Sequence, residues 1–496
     1  VGLIRILLGA IDEVSGGPAL VLTRGVAGPP AVTLTEPNGN VRPLVVTPSP
    51  VASSGGGTSP LAAELAALGV ALHRVDVPPL RGVARLRAQS GFDSVEAVWR
   101  PFPVAPRWSV SFSLSSCYYG YFRFGTFGRY LYTAATSTQL AGHQIDFKLL
   151  VGDNLYMDVA PDQGAFGDGD AAKETAKRYV DYFVSDDDVA IAGATSPTIL
   201  TFDDHDLWND YPHASAWLSR SWSHNAPDWT RAAWDGIDTF QMPLNPRALN
   251  AASRSFSFVA GGVPFFVADT RSHRSIAGAD DTAKLLTPSD LGSLEAFLRA
   301  PGGPRVLVVG QPLWQKALDK VLFVVGDHNL AAYPKHFARI LEALRDCPAD
   351  VLLLTGDPHF SRILELRTPA GRSVYEVTSS PAVHIPAAGA TVRNNLFGGG
   401  FKAPASSAVS IDEAVEYAGD PSARLSVARY LHGTSANTAF ALLTLSPRAD
   451  GSIDTRVTFV DHQGGPSRLF PSPDRVAHYP TPVAPQSTVS FTLKMR

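Results

Sequence analysis

The sequence predicts an α/β protein preceded by a smaller, mainly β module, and three observations carry that expectation. Six apolar runs, at residues 108–114, 147–151, 198–202, 264–268, 306–309 and 351–355, each read as a buried strand that ends in a polar or metal-binding group. Between them lie patterns of helical length at 171–184, 289–299 and 336–344, the alternation expected of helices packed on a sheet core. Before residue 100 the texture differs, with short strand-like runs such as 31–34 and 83–87 punctuated by Gly, Pro and Asn.

The first division is therefore placed at residues 1–104, a β-sandwich-like module, with 105–496 as the α/β part. Within the module, residues 48–60 are rich in Ser and Gly and read as a loop. The stretch 61–69 reads instead as a short helix ended by Gly69. Pro101-Phe102-Pro103-Val104-Ala105-Pro106 is the linker. The next strand leads into Ser115-Ser116-Cys117-Tyr118. Phe147 to Val151 leads into Gly152-Asp153-Asn154-Leu155-Tyr156-Met157-Asp158, where the glycine permits a sharp turn at the strand's carboxyl end. Thr198 to Phe202 leads into Asp203-Asp204-His205-Asp206. Residues 208–249, which include Trp208, Trp217, Trp222, Trp229 and Trp234, read as loops and short helices wrapped over a site. The remaining apolar runs meet Asp269-Thr270-Arg271, Gly310-Gln311 and Gly356-Asp357-Pro358-His359. Two late runs, 439–445 and 453–460, flank Asp450-Gly451 as a hairpin that extends a sheet, and 488–493 supplies one more strand. Six strands delivering polar groups at one end suggest a ligand site at a sheet edge, assembled from distant segments.

Composition narrows the classes. The 496-residue chain carries a net charge of −4, which offers no basic field for nucleic acid and no polybasic membrane patch. No apolar run reaches the roughly 18 residues of a spanning helix. Val1 to Leu8 is too short to span and lacks the start and cleavage site of a signal peptide, so the compartment stays open. Two cysteines do not make a disulfide framework. Cys347 follows an amphipathic helix and reads as a structural thiol, whereas Cys117 stands just past a strand among aromatics.

The chemistry concentrates at the strand ends. Asp153 is a hard oxygen ligand, and Tyr156, three residues on, can reach the same ion. One Gly-Asp is an ordinary turn signal, but the second, at Asp357 with His359 two residues on, points to metal. A hard trivalent cation favours phenolate and carboxylate, and a Cys117 thiolate would complete a charged pocket. In Asp203-Asp204-His205-Asp206 one acid can cap a helix; functionally, one carboxylate binds metal while His205 stabilises charge or protonates a leaving oxygen. The flanking carboxylates would orient the His205 tautomer. There is no P-loop and no His-Glu-x-x-His. Gly326-Asp327-His328-Asn329 ends a further apolar run, either as a second contributor or as a loop capping the helix around His336. His213, His224, His273 and His384 fall near these segments without an assigned role.

In this order across residues 108–380, Ser116-Cys117, the Gly152 to Asp158 motif, Asp203-Asp204-His205-Asp206, Trp234-Asp235-Gly236, Phe266 to Arg271, Gly356-Asp357-Pro358-His359 and Glu376-Val377-Thr378-Ser379-Ser380 resemble the PhoD-like alkaline phosphatases. That branch of the metallophosphoesterases also includes a secreted bacterial phospholipase D. The resemblance implies a metallophosphoesterase-type α/β/β/α sandwich and hydrolysis of phosphate monoesters, diesters or both through a metal-bound hydroxide. It implies ferric iron (Fe3+) bound by Cys117, Asp153 and Tyr156, with Asp153 bridging to calcium (Ca2+) and with Asp357 and His359 completing the cluster; other divalent metals are alternatives. Asp204 and Asn209 compete for one oxygen-ligand position, His205 assists the leaving alkoxide, and Arg271 is phosphate-facing or structural. The substrate implied is a small-molecule phosphate ester or a phospholipid-like molecule, with residues 208–234 shaping an apolar leaving-group pocket, and the protein is exported if it follows characterised members. The alternatives are a phospholipase D-like phosphodiesterase and a non-catalytic metal-containing binding protein. Oligomeric state is open.

Overall fold

The computed structural model describes residues 2–53, 59–106, 109–118, 145–158, 170–214, 221–222, 226–250, 253–276, 283–313, 330–357, 360–382, 414–415, 425–435, 439–461 and 487–495. Its first strands are β1 (Leu3–Leu8), β2 (Gly17–Arg24), β3 (Ala31–Thr35), β4 (Val41–Leu44), β5 (Val46–Pro48), β6 (Val70–Val77), β7 (Ala84–Ser90) and β8 (Asp93–Trp99). They form two antiparallel four-stranded sheets, ordered β1-β2-β6-β5 and β4-β3-β7-β8. Strand β7 shows why: Ala84, Leu86 and Ala88 are buried while Arg85, Arg87 and Gln89 face solvent, the period-two pattern of a half-covered sheet. Its buried side joins Ile4, Ile6, Leu8, Val75 and Val77 in one core, giving the sandwich expected. Helix α1 (Pro60–Ala67) starts with proline in its first turn, and Gly69 follows it at φ +70°.

The later strands are β9 (Val110–Ser115), β10 (Phe147–Val151), β11 (Thr198–Thr201), β12 (Phe256–Ala260), β13 (Val263–Val267), β14 (Arg305–Val308), β15 (Val351–Thr355), β16 (Phe360–Arg367), β17 (Ser373–Thr378), β18 (Ala414–Val415), β19 (Leu425–Ser435), β20 (Ala439–Pro447), β21 (Ile453–Asp461) and β22 (Ser487–Leu493). All six apolar runs form strands, but they do not share a sheet. Three belong to a six-stranded sheet, β11-β10-β9-β20-β21-β22, and three to an eight-stranded one, β12-β13-β14-β15-β17-β16-β19-β18. Strands β9, β10 and β11 run parallel, as do β13, β14 and β15. The late hairpin, β20 and β21, extends the first sheet by antiparallel pairing of β20 with β9. The single sheet edge expected from sequence is thus two edges facing each other.

Alternate residues explain the layering. Phe147, Leu149 and Val151 of β10 and Leu352 and Leu354 of β15 point into the core between the sheets. Leu307 and Leu353 point the other way, onto α5 (Pro288–Arg299) and α6 (Pro334–Asp346), which follow α2 (Ala171–Tyr179), α3 (Asp187–Thr195) and α4 (Ala226–Gly236) in the chain. On the outer face of the six-stranded sheet, Leu150 and Leu200 pack with Ala176 and Tyr179 of α2, and with Tyr182 and Phe183 of a π-helical turn, Val180–Ser185. The N-terminal sandwich closes over this layer: a Cβ at Gly193 of α3 would lie 2.4 Å from Leu7 Cδ2, and Arg5 Nε donates to the Val184 carbonyl at 3.0 Å. The result is the α/β/β/α arrangement.

One strand residue works against the fold. Lys148 of β10 is buried and donates to the Ser196 carbonyl, and burial pulls its pKa down to about 7. The unfolded side chain titrates near 10.5, so between these values the unfolded chain holds the extra proton and stability rises with pH. Lys148→Met is expected to stabilise the protein at pH 7 by on the order of 3 kcal/mol. The gain should fade as pH approaches 10.5, as urea unfolding at a series of pH values would read out.

Candidate metal centre

The facing strand ends bring Cys117 (after β9), Asp153 and Tyr156 (after β10), Asp203, Asp204 and His205 (after β11) and Asp357 (after β15) to one place. The backbone there is unusual. Cys117, Asp153, Asp210 and Asp357 are the described non-glycine residues with positive φ, at +59°, +53°, +65° and +76°. Left-handed backbone costs a non-glycine residue about 1–2 kcal/mol and persists where surrounding structure imposes it, often at functional sites. Three of the four are residues predicted to bind metal. Gly152, at φ +81°, makes the approach of β10 and β11 possible, since a Cβ there would lie 2.5 Å from Asp203 Cβ.

Asp153, Asp203 and Asp204 each offer an oxygen within 4.8 Å of the others, and all three are buried. The Cys117 thiol donates to Asp153 Oδ2 at 3.3 Å and accepts from Ser380 Oγ at 3.1 Å. The rings of Tyr156 and His205 lie 4.3 Å apart. Burial pushes the Cys117 thiol well up, and Asp153 and Asp357 push it further. Burial also raises the Tyr156 phenol, with Cys117 and Asp153 adding to it. Asp153 is raised by burial, partly relieved by His205, and raised again by Asp204, Asp203 and Asp357. Thiol, phenol and carboxyl thus resist ionisation because they are dry and neighbours to one another, and a bound cation reverses both causes. Asp203 Oδ2 adds a second sign: it is buried with no hydrogen-bond partner, which is costly unless a cation satisfies it. The donor set fits a metal.

His205 is held from an unexpected side. Its Nδ1 lies 2.8 and 2.9 Å from the two oxygens of Asp158, so the orienting carboxylate comes from the end of the Gly152 to Asp158 motif and not from its sequence neighbours. Burial alone would lower the imidazole's pKa, but Asp158, Asp204 and Asp153 outweigh it and raise the pKa well above its ordinary value. Asp206 is turned away from the ring. It accepts from the Asp203 N–H at 2.9 Å and from Gln241 Nε2 at 2.9 Å, and burial lifts it to about 7. Gln241 ends a second π-helical turn, Ile237–Gln241, and also accepts from Asn154 Nδ2 at 2.9 Å, tying the β10 and β11 loops together.

Arg271 is fully buried and engages Asp203 through Nε, Asp204 Oδ1 at 3.4 Å and the Tyr211 carbonyl at 3.0 Å. Its charge offsets two of the clustered carboxylates. For Asn209 the recorded contact is its backbone N–H on Asp158 Oδ2 at 2.8 Å, while Asp204 stands in the carboxylate cluster. His359, Gly326-Asp327-His328-Asn329, Trp217, His224 and His384 lie outside the described residues. His213 sits beside Asp210, with Nδ1 3.6 Å from its carboxylate.

The tryptophans are reassigned. Trp208, Trp229 and Trp234 are buried in a cluster with Phe202, Tyr211 and Ile237, while Trp222 is about half exposed. They build a core around α4, which runs on into the second π turn as a longer helix than expected, and do not line a leaving-group pocket as a group. Sequence reasoning gave no role to Asp158, Asp203 or Ser380. Each lies within a quoted motif, and the motif ends were the available signal. Because Asp158 fixes the imidazole, Asp158→Asn is expected to lower kcat by about 10–100-fold, measured on an aryl phosphate ester.

Two facing sheets with ligand-bearing loops at their converging strand ends define a metallophosphoesterase-type fold. The solved structure of PhoD aligns with 99% of this chain over 91% of its own, with a TM-score of 0.62 and 14% identity. Purple acid phosphatase PPD1 from yellow lupin (Lupinus luteus) seeds aligns with 99% of this chain over 74% of its own, with a TM-score of 0.52 and 11% identity. At these identities the likeness is one of fold. No curated protein sequence matches the chain. The model of the PhoD-like phosphatase family matches residues 112–420, and the chain belongs to that family. It is a metal-dependent phosphoester hydrolase.

Proposed function

We propose that this hydrolase acts on small phosphate esters at a mixed iron and calcium centre, with Cys117, Asp153 and Tyr156 holding Fe3+, with Asp153, Asp204 and Asp357 offering oxygens to Ca2+, and with His359 completing the cluster. The observation that carries the reading is the buried contact of Cys117 with Asp153, a thiol against a carboxylate, with the Tyr156 phenol beside them. Soft and hard anionic donors gathered at one buried point suit a trivalent ion, and the Arg271 charge is spent on Asp203 and Asp204, not on Cys117 or Tyr156. Asp203 joins the set through its unpartnered oxygen. When bound, the metals supply the nucleophilic water and neutralise phosphoryl oxygens. The chain's own residues do the rest: Asp158 holds the His205 ring, His205 delivers a proton to the departing oxygen, and Arg271 keeps Asp203 and Asp204 from repelling each other.

The proposal includes the division at residues 104 and 105, supported by the two four-stranded sheets on one side and the converging sheets on the other. Among the described residues no helix is long and apolar enough to cross a membrane. Export belongs to the proposal too, since a calcium-containing centre suits a compartment where that ion is plentiful. Cell fractionation reads this out.

The deciding measurement is elemental analysis of protein purified without chelator, with its visible spectrum. Stoichiometric iron with calcium, and a charge-transfer band lost in Cys117→Ala and Tyr156→Phe, is the expected result. Zinc or manganese in a colourless protein removes Cys117 and Tyr156 from these roles. Relative rates on aryl monoesters, aryl diesters and phosphatidylcholine then separate a phosphatase from a phospholipase D-like diesterase.

A further inference from the structure

Of the six strand ends, the one after β14 delivers Gly310 and Gln311, and neither has a place in the chemistry so far. We infer that Gln311 is a positioning residue for the metal centre, aiming the Asp357 carboxylate through an amide whose orientation Arg274 fixes. The inference rests on the reading of Asp357 as a metal ligand.

Gln311 is fully buried. Its Oε1 accepts from Arg274 Nη2 at 2.8 Å, and its Nε2 donates to Asp357 Oδ2 at 3.3 Å. Chemistry assigns the amide's direction without ambiguity. A guanidinium only donates and a carboxylate only accepts, so the oxygen must face Arg274 and the NH2 must face Asp357. Arg274 is itself held, with Nε donating to the Thr270 carbonyl at 2.9 Å and its guanidinium 5.2 Å from the centre of the Tyr333 ring. The loop's far end is pinned as well: the Leu313 N–H donates to Glu376 Oε2 at 2.7 Å, and Glu376 pairs with Arg362 at 2.6 Å. The loop therefore presents Gln311 from a rigid frame that spans β14, β16 and β17.

The side-chain type also fits the task. A lysine or arginine here would add positive charge next to an ion and oppose its binding, and an acid would add a competing ligand. A neutral amide donates to one carboxylate oxygen, Oδ2, and changes no charge. Partners that orient a ligand in this way contribute about 10–100-fold to metal affinity. Asp357, held at φ +76° with its backbone N–H on Ser116 Oγ at 3.2 Å, is fixed through its backbone, so the amide bears on the two torsions of its side chain.

The test uses the full chain with its iron retained, freed of calcium by a Ca2+-selective chelator and titrated with Ca2+ by calorimetry, alongside melting temperatures with Ca2+ and with that chelator. Gln311→Met, similar in volume but unable to bridge, is expected to weaken Ca2+ binding by about 10–100-fold and to shrink the calcium-dependent rise in melting temperature. The Cys117 and Tyr156 absorption band should stay in place. Gln311→Asn, an amide one methylene too short, should give the same result and carries the test if the methionine variant does not fold. A purely structural role would lower both melting temperatures equally and leave Ca2+ affinity as in the unsubstituted protein, which overturns the inference. If the unsubstituted protein binds no Ca2+, the reading of Asp357 falls and this inference falls with it.

Discussion

Asp153→Asn is expected to abolish metal retention and to lower kcat/KM by about 10^3-fold or more, while raising the melting temperature of the chelator-treated protein. The two effects have one cause. Asp153 is buried with Asp203 and Asp204 within 4.8 Å, so the metal-free chain stores the cost of crowding carboxylates in a dry place. Asparagine keeps the shape, tolerates the left-handed backbone at φ +53° and can still accept from the His205 N–H, now 3.2 Å from Asp153 Oδ1. The charge is lost, and the oxygen that accepts from the Cys117 thiol becomes an amide NH2, toward which the sulfur must turn acceptor. Losing the charge relieves the neighbours and removes the group best placed to serve two metals at once, a trade of function against stability. Differential scanning calorimetry with chelator, paired with elemental analysis, separates the two effects. A lowered melting temperature would mean that Asp153 holds the fold through contacts that asparagine cannot replace.

How much of this was legible in the sequence depends on the range of the interaction. The six strands were readable because residues buried on both faces make short, continuous apolar runs, and the ligand types stood at their ends. Their division between two sheets was not readable, since nothing in Val306-Leu307-Val308 states which neighbour it will pair with. The glycines before Asp153 and Asp357 announced tight turns, but the left-handed backbone of Cys117 follows a serine and carried no such mark. His205 and Asp158 are 47 positions apart, so adjacency pointed wrongly to Asp204 and Asp206. The tryptophans were misleading for a general reason: aromatic density marks a place where much apolar surface is buried, and a core and a ligand pocket look alike in composition.

Gly356→Ala is expected to damage the architecture and the metal centre together. Gly356 follows β15, with its N–H on the Gly310 carbonyl at 2.9 Å. A Cβ there would lie 2.4 Å from the Val151 carbonyl oxygen and 2.5 Å from Ser116 Cβ, both belonging to the opposite sheet's strand ends. A backbone oxygen at a strand end cannot swing aside as a side-chain tip can, so the sheets must part. Overpacking of this kind costs about 3 kcal/mol or more. The displacement falls between Cys117 and Asp153 on one side and Asp357 on the other, so metal affinity should fall together with stability. Gly371 supplies the contrast: its φ is +75°, but nothing lies within 4 Å of a Cβ placed on it. Gly371→Ala should cost only the local backbone strain, about 1 kcal/mol, and leave metal binding alone. Urea midpoints and Ca2+ titrations of the two variants separate strain in a chain from separation of two sheets. Equal losses in both would mean that the close approach at Gly356 is not what holds the centre together.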